Sequence, residues 1–90
     1  MAPADSDSPR RDDTASLSFE YDDERTARIV ARSVRVEVGR IDDARSRATV
    51  SREGPVVTVD VAAADLVALR AGVNTWVRLV AVAEDVAALA

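Results

Sequence analysis

Glu20, Asp22, Asp23 and Glu24 form the densest run of carboxylates in the sequence, the raw material of a metal site or an acid–base pair. They stand just ahead of a helical pattern, where negative side chains complement the positive end of the helix dipole. A helix start is the favoured reading. Asp42 and Asp43 follow Gly39 without the spacing of a calcium-binding loop, so a solvated turn is expected there. The chain has no cysteine and no histidine, which removes thiolate chemistry, disulfides and most transition-metal ligation together. General acids and bases reduce to Asp, Glu and Tyr, and none sits in an evidently buried strand position. Neither GxGxxG nor GxxxxGK[ST] is present, and no GxxG loop exists to clamp RNA in the manner of a KH module. No enzymatic activity, cofactor, metal or small-molecule substrate is expected.

Arginine is the remaining chemical resource, since every basic residue is arginine. Arg40, Arg45, Arg47 and Arg52 concentrate in one stretch, and guanidinium suits bidentate recognition of phosphate. Asp42, Asp43 and Glu53 interleave them and leave a net of about +1. With no aromatic platform for stacking bases, a solvated strand face is favoured over an independent nucleic-acid site. If RNA binds, these arginines contribute to a shared surface.

The elements that position these groups follow from pattern. Residues 1–14 (MAPADSDSPRRDDT) have no large apolar side chain after Met1 and read as a disordered acidic tail, neither a signal peptide nor a membrane segment. Residues 15–90 read as one small domain. Its formal charge balance is acidic, −4 for the chain, with 16 acidic and 12 basic residues. Lysine-free, acidic sequences built on Ala, Val and Asp resemble those of halophiles with a molar-salt cytoplasm. GC-rich coding bias favours much the same composition, and the two readings stay level.

Ala15 to Tyr21 alternates, with Leu17, Phe19 and Tyr21 on one face, and predicts a half-buried strand. A helix is expected from Asp22 or Asp23, with Ala27, Val30, Ala31 and Val34 inward and Arg25, Arg28, Arg32 and Arg35 on the outer side. Ile29 lies off that stripe and is expected to be exposed. Val34 to Val38 suits a strand as well as a helix end and reads as an irregular connection stopped by Gly39. Arg45 to Arg52 predicts a second strand, with Ala48 and Val50 facing one way and Arg45, Arg47 and Thr49 the other. Glu53-Gly54-Pro55 is a tight turn, and Val57, Val59 and Val61 point a third strand at the core. A wholly antiparallel sheet then needs the third strand in the middle. The expected fold is a two-layer α+β βαββα domain, with a three-stranded antiparallel sheet and two helices on one face.

Asp65 to Leu89 is the longest periodic segment, and at ~1.5 Å per residue it approaches about 37 Å. Asp65 is placed to cap it. Leu66, Leu69, Val73, Trp76, Val77 and Val80 recur at steps of three and four and form the inward stripe. A second row runs through Val67, Ala71, Asn74 and Arg78, and a third through Leu79, Val82, Val86 and Leu89. A helix apolar on more than one side needs more than one partner. Arg70 and Asn74 stand among small or apolar neighbours, where a polar group is expected to seek a specific contact.

Asp65 to Val80, DLVALRAGVNTWVRLV, following a hairpin that begins RSRATV, resembles the signature of the small dimerising subunit of the KEOPS complex, a Pcc-one/CTAG-like family. The resemblance covers roughly Ala15 to Glu84, and Val34 to Val38 departs from the family pattern, which often has a Pro-containing turn there. KEOPS makes threonylcarbamoyladenosine next to the anticodon of tRNAs reading ANN codons. The resemblance implies an archaeal, cytoplasmic, non-catalytic platform that homodimerises, docks the transferase subunit through its helices and supports tRNA binding. It assigns Leu69, Arg70, Val73, Asn74, Trp76, Val77 and Val80 to the self or partner interface. Arg45, Arg47 and Arg52 become the weaker expectation for tRNA contact. The competing reading is a stand-alone homodimeric interaction module with no RNA role.

Overall fold

The computed structural model describes residues 13–41 and 45–90. Of the disordered tail expected over residues 1–14, residues 1–12 lie outside the described residues, while Asp13 and Thr14 are strand. The elements run β1 (Asp13–Glu20), α1 (Glu24–Arg35), α2 (Val38–Ile41), β2 (Ser46–Glu53), β3 (Val56–Ala63) and α3 (Leu66–Leu89). The sheet order is β1-β3-β2 and both pairings are antiparallel, so the hairpin-linked third strand takes the centre as the topology argument requires. β1 begins two residues earlier than its alternation suggests, because Asp13 and Thr14 pair with Ala63 and Ala62.

Register places Leu17, Val59 and Val50 in one row across the sheet, and Ala15, Val61 and Ala48 in the next. These rows face the helices. Ala27, Val30, Ala31 and Val34 of α1 and Trp76, Val80, Ala83 and Ala87 of α3 close the core over Val57, Val59 and Val61. The interior is built almost wholly from Ala and Val, with Trp76 the one large side chain. Small residues let the two helices lie close to the sheet.

The β2–β3 turn rests on Gly54, whose φ of +58° opens it, and on Pro55, whose ring holds φ negative. That pair of signs belongs to the type II′ turn favoured by two-residue hairpins. Each long helix is capped by aspartate. The Asp23 carboxylate accepts from the Thr26 N–H at 2.7 Å, and the Asp65 carboxylate accepts from the Ala68 N–H at 2.8 Å.

Three local expectations are corrected. The irregular connection expected over Val34 to Val38 shrinks to a turn at Val36-Glu37: α1 runs to Arg35 and α2 starts at Val38, with Gly39 inside it instead of stopping the chain. Val30 and Val34 belong to the core and Val38 packs against it, and this packing outweighs the strand-like alternation. Ile29 is half-buried against the core rather than exposed. On α3, Leu66 and Val77 are 64% and 45% exposed, so the inward stripe is narrower than its periodicity suggests. By length and composition α3 could cross a membrane, yet Trp76, Val80, Ala83 and Ala87 on its inner face belong to this chain's own core.

Candidate interaction surfaces

α3 presents different chemistry on each side because a 24-residue helix overruns the sheet that it covers. Its inner face holds Trp76 and Val80, 2% and 1% exposed, with Leu69 half-buried beside them. In the single chain Trp76 and Val80 therefore seat α3 on the sheet, and Trp76 also lines the hollow beside Arg45 and Ser46. Val73 is half-buried and Val77 exposed, on the flank that also carries Glu84. That flank is tied to the end of β1, where the Tyr21 hydroxyl donates to Glu84 Oε2 at 2.7 Å. Burial, reinforced by the Glu84 hydrogen bond and charge, raises the Tyr21 pKa beyond any use as a base near neutrality.

Arg70 and Asn74 are exposed.

The opposite flank of α3 faces α1. Leu79, Val82, Ala83 and Val86 line a shallow apolar groove of about 90 Å³ with Ser33 and Val34 of α1. Val82 and Val86 remain 59% and 49% exposed, and Leu89 extends the row beyond them. Along the same flank toward the N-terminal end, Val67, Ala71, Gly72 and Thr75 enclose a depression of about 290 Å³ against Arg45 and Ser46. Here Gly72 makes a close approach: a Cβ at this position would stand 3.1 Å from Cγ1 of Val61. Short side chains line much of both hollows, with Arg45 and Trp76 in the larger and Glu37 in the smaller, a form that admits the ridge of another helix.

The three arginines expected together are separated. Arg45 pairs with Asp65, and it thereby braces the α3 cap. The Asp65 pKa is lowered chiefly by the Ala68 N–H, with Arg45 adding to the effect against desolvation. Arg47 is exposed on the open face of the sheet, beside a hollow of about 270 Å³ that Thr14, Ser16, Thr49 and Asp60 also line. Arg52 shares the inward register of Ala48 and Val50 at the end of the strand. It donates to the Gly54 carbonyl at 2.9 Å and pairs with Glu24 at 3.6 Å. Arg52 thus lies on the face opposite Arg47, because the even positions of β2 face the helices. Arg40 pairs with Glu37 at 3.5 Å.

α1 holds a larger basic concentration than the strand. Arg25, Arg28, Arg32 and Arg35 are all exposed, spaced three, four and three residues apart on one face. Their spacing was legible, but the intervening Ala and Val draw attention to the inner stripe. Among the described residues there is no cluster of three or more potential metal ligands.

The family described as Transcription factor Pcc1 matches residues 14–88. No curated protein matches the chain. Among solved structures, the chain is similar to a chain of the crystal structure of a binary Gon7–Pcc1 complex. The likeness has a TM-score of 0.75 at 20% identity, over 86% of this chain and 94% of that one. At that identity the likeness carries the βαββα fold. The family match spans every described strand and helix, including the terminal-helix motif that resembles the small KEOPS subunit, and on it the chain belongs to the Pcc1 family.

Proposed function

We propose that this protein is a non-catalytic dimerisation platform of the cytoplasmic KEOPS machinery, docking the threonylcarbamoyl transferase subunit through its helices and supporting tRNA binding. The observation that carries the reading is the groove between α1 and α3, with Val82 and Val86 left half to three-fifths exposed beside it. Partner helices would complete a bundle there, since an amphipathic helix laid into an apolar groove is a recurring recognition mode. The other flank of α3, with Leu66, Val73 and Val77 near the β1 end, is the surface assigned to self-association. Leu69, Arg70 and Asn74 border these surfaces, while Trp76 and Val80 hold α3 in place from beneath.

The absence of histidine and cysteine from the sequence supports the non-catalytic role. So does the placement of Tyr21 in a structural hydrogen bond. Arg47 is the part of the expected tRNA contact best placed to reach a ligand, because it faces outward on the open side of the sheet.

Size exclusion with light scattering tests the reading, using the purified full chain alone and mixed with an archaeal KEOPS transferase subunit in molar KCl. A free protein at dimer mass and a defined co-eluting complex are expected. A dimer that ignores the transferase would reduce the protein to a homodimeric interaction module.

A further inference from the structure

We infer that the outer face of α1 is a phosphate-binding face for the RNA backbone, formed by Arg25, Arg28, Arg32 and Arg35. This deepens the tRNA part of the proposed function and rests on it only for which RNA is bound. All four side chains are exposed, and among the described residues none makes an ion pair or hydrogen bond to a carboxylate. Arg25 and Arg28 act on Asp23 only as minor electrostatic neighbours, behind the Thr26 hydrogen bond that chiefly lowers its pKa.

Such a row works against the helix. Like charges three or four residues apart destabilise a helix, and the row contains three such steps in succession. Arg32 and Arg35 recover part of this by standing in the last turn, where the dipole favours cations. Arg25 and Arg28 do not. Asp22, Asp23 and Glu24 set countercharge beside Arg25 and Arg28, but no described ion pair neutralises any of the four, and the row stays open to an anionic ligand. Residues 1–12 offer little more, since two of their charged residues are arginines, Arg10 and Arg11, against Asp5, Asp7 and Asp12.

Placement and charge density favour a nucleic acid. Ser33 and Val34 turn one flank of α1 toward the α3 groove, and Glu24 meets Arg52 of β2 on the opposite flank. The arginine row therefore stands clear of the proposed transferase groove, on the helix-covered side of the sheet, whereas Arg47 faces the open side. Ten residues of helix span about 15 Å. A B-form strand presents one phosphate per roughly 3.4 Å of axis and A-form RNA spaces them more closely along its axis, so that length spans about four phosphates or more. Four arginines match four charges, and phosphate accepts guanidinium in bidentate fashion.

The test is fluorescence anisotropy of a dye-labelled RNA duplex of mixed sequence with the full chain, titrated from 50 to 200 mM KCl. The variant R25Q/R28Q/R32Q/R35Q is expected to lose about three units of the log K against log salt slope, at ~0.7–0.9 per phosphate contact. Over that salt range the wild-type affinity then falls about 60-fold further than the variant's. The pair R28Q/R32Q should lose about half that slope, and circular dichroism melts of both variants should match or exceed wild type. An unchanged slope in a folded variant overturns the inference alone. A wild-type chain that binds no RNA at 50 mM KCl overturns it together with the RNA part of the proposed function, leaving transferase docking to stand on co-elution. Polyglutamate of equal charge displacing the RNA as well as unlabelled duplex would also overturn it, marking the row as a site for acidic protein.

Discussion

Truncating the two groove valines, V82A/V86A, separates docking from folding. Val82 and Val86 are 59% and 49% exposed in the free chain, so a docked helix has that fraction of each left to bury. A valine-to-alanine change removes two carbons, worth ~0.8 kcal/mol each when fully buried. Scaled by exposure, the losses are about 0.9 and 0.8 kcal/mol, together about 1.7 kcal/mol if docking covers both sites. At ~1.4 kcal/mol per tenfold, transferase affinity falls roughly 15- to 20-fold. Alanine is the better helix former by about half a kcal/mol, and both positions are solvated, so the variant should melt no lower than wild type. Isothermal titration of the transferase subunit into each protein, beside thermal melts, measures both quantities. Undiminished affinity in a stably folded variant would refute the docking assignment, because the groove rim is then not covered by the partner.

R47E should weaken tRNA retention by the assembled complex without changing the dimer's mass, read by filter binding and light scattering. R45E is expected to lower the melting temperature as well, since it sets a carboxylate against Asp65, the α3 cap that Arg45 now braces. Asp23 and Asp65 both have lowered folded pKa values, first through the capped N–H groups of Thr26 and Ala68. Their contribution is therefore complete above the ordinary aspartate range near ~3.9 and is lost as pH falls through the lowered folded values. D23N/D65N keeps a good capping side chain but should flatten the acid limb of a stability–pH profile; an unchanged limb would exclude the caps as its source. W76A removes the one large core side chain, at an expected cost of about 3–5 kcal/mol, and denaturant melts should show most of the domain's stability gone.

Much of the architecture was legible because small βαββα domains leave few alternatives. Alternation at Leu17 and Phe19 and at Val57, Val59 and Val61 marked the strands. Gly54-Pro55 marked the hairpin, and the antiparallel requirement then put β3 in the centre. Asp23 and Asp65 announced the helix starts through a local rule, the affinity of an aspartate oxygen for free N–H groups. The motif around Leu69, Arg70 and Asn74 was enough to resemble the family that the whole-domain match then showed. Val34 to Val38 was misleading, since valine alternation looks like a strand until core packing sets Val34 and Val38 in two helices joined by a turn at Val36-Glu37.

The sequence by itself determined the elements, their order, the caps and the chemistry that is missing, because each depends on near neighbours or composition. Only the tertiary structure decided how α3 is rotated on the sheet. That rotation places Trp76 and Val80 inside and leaves Leu66, Val77, Val82 and Val86 toward solvent, although all six share apolar periodicity. It also decided which arginines have partners: Arg52 turns inward to Glu24, Arg45 braces Asp65, and the α1 row finds no carboxylate among the described residues. Helical and strand periods fix which residues share a face. What that face meets depends on contacts between segments far apart in the chain.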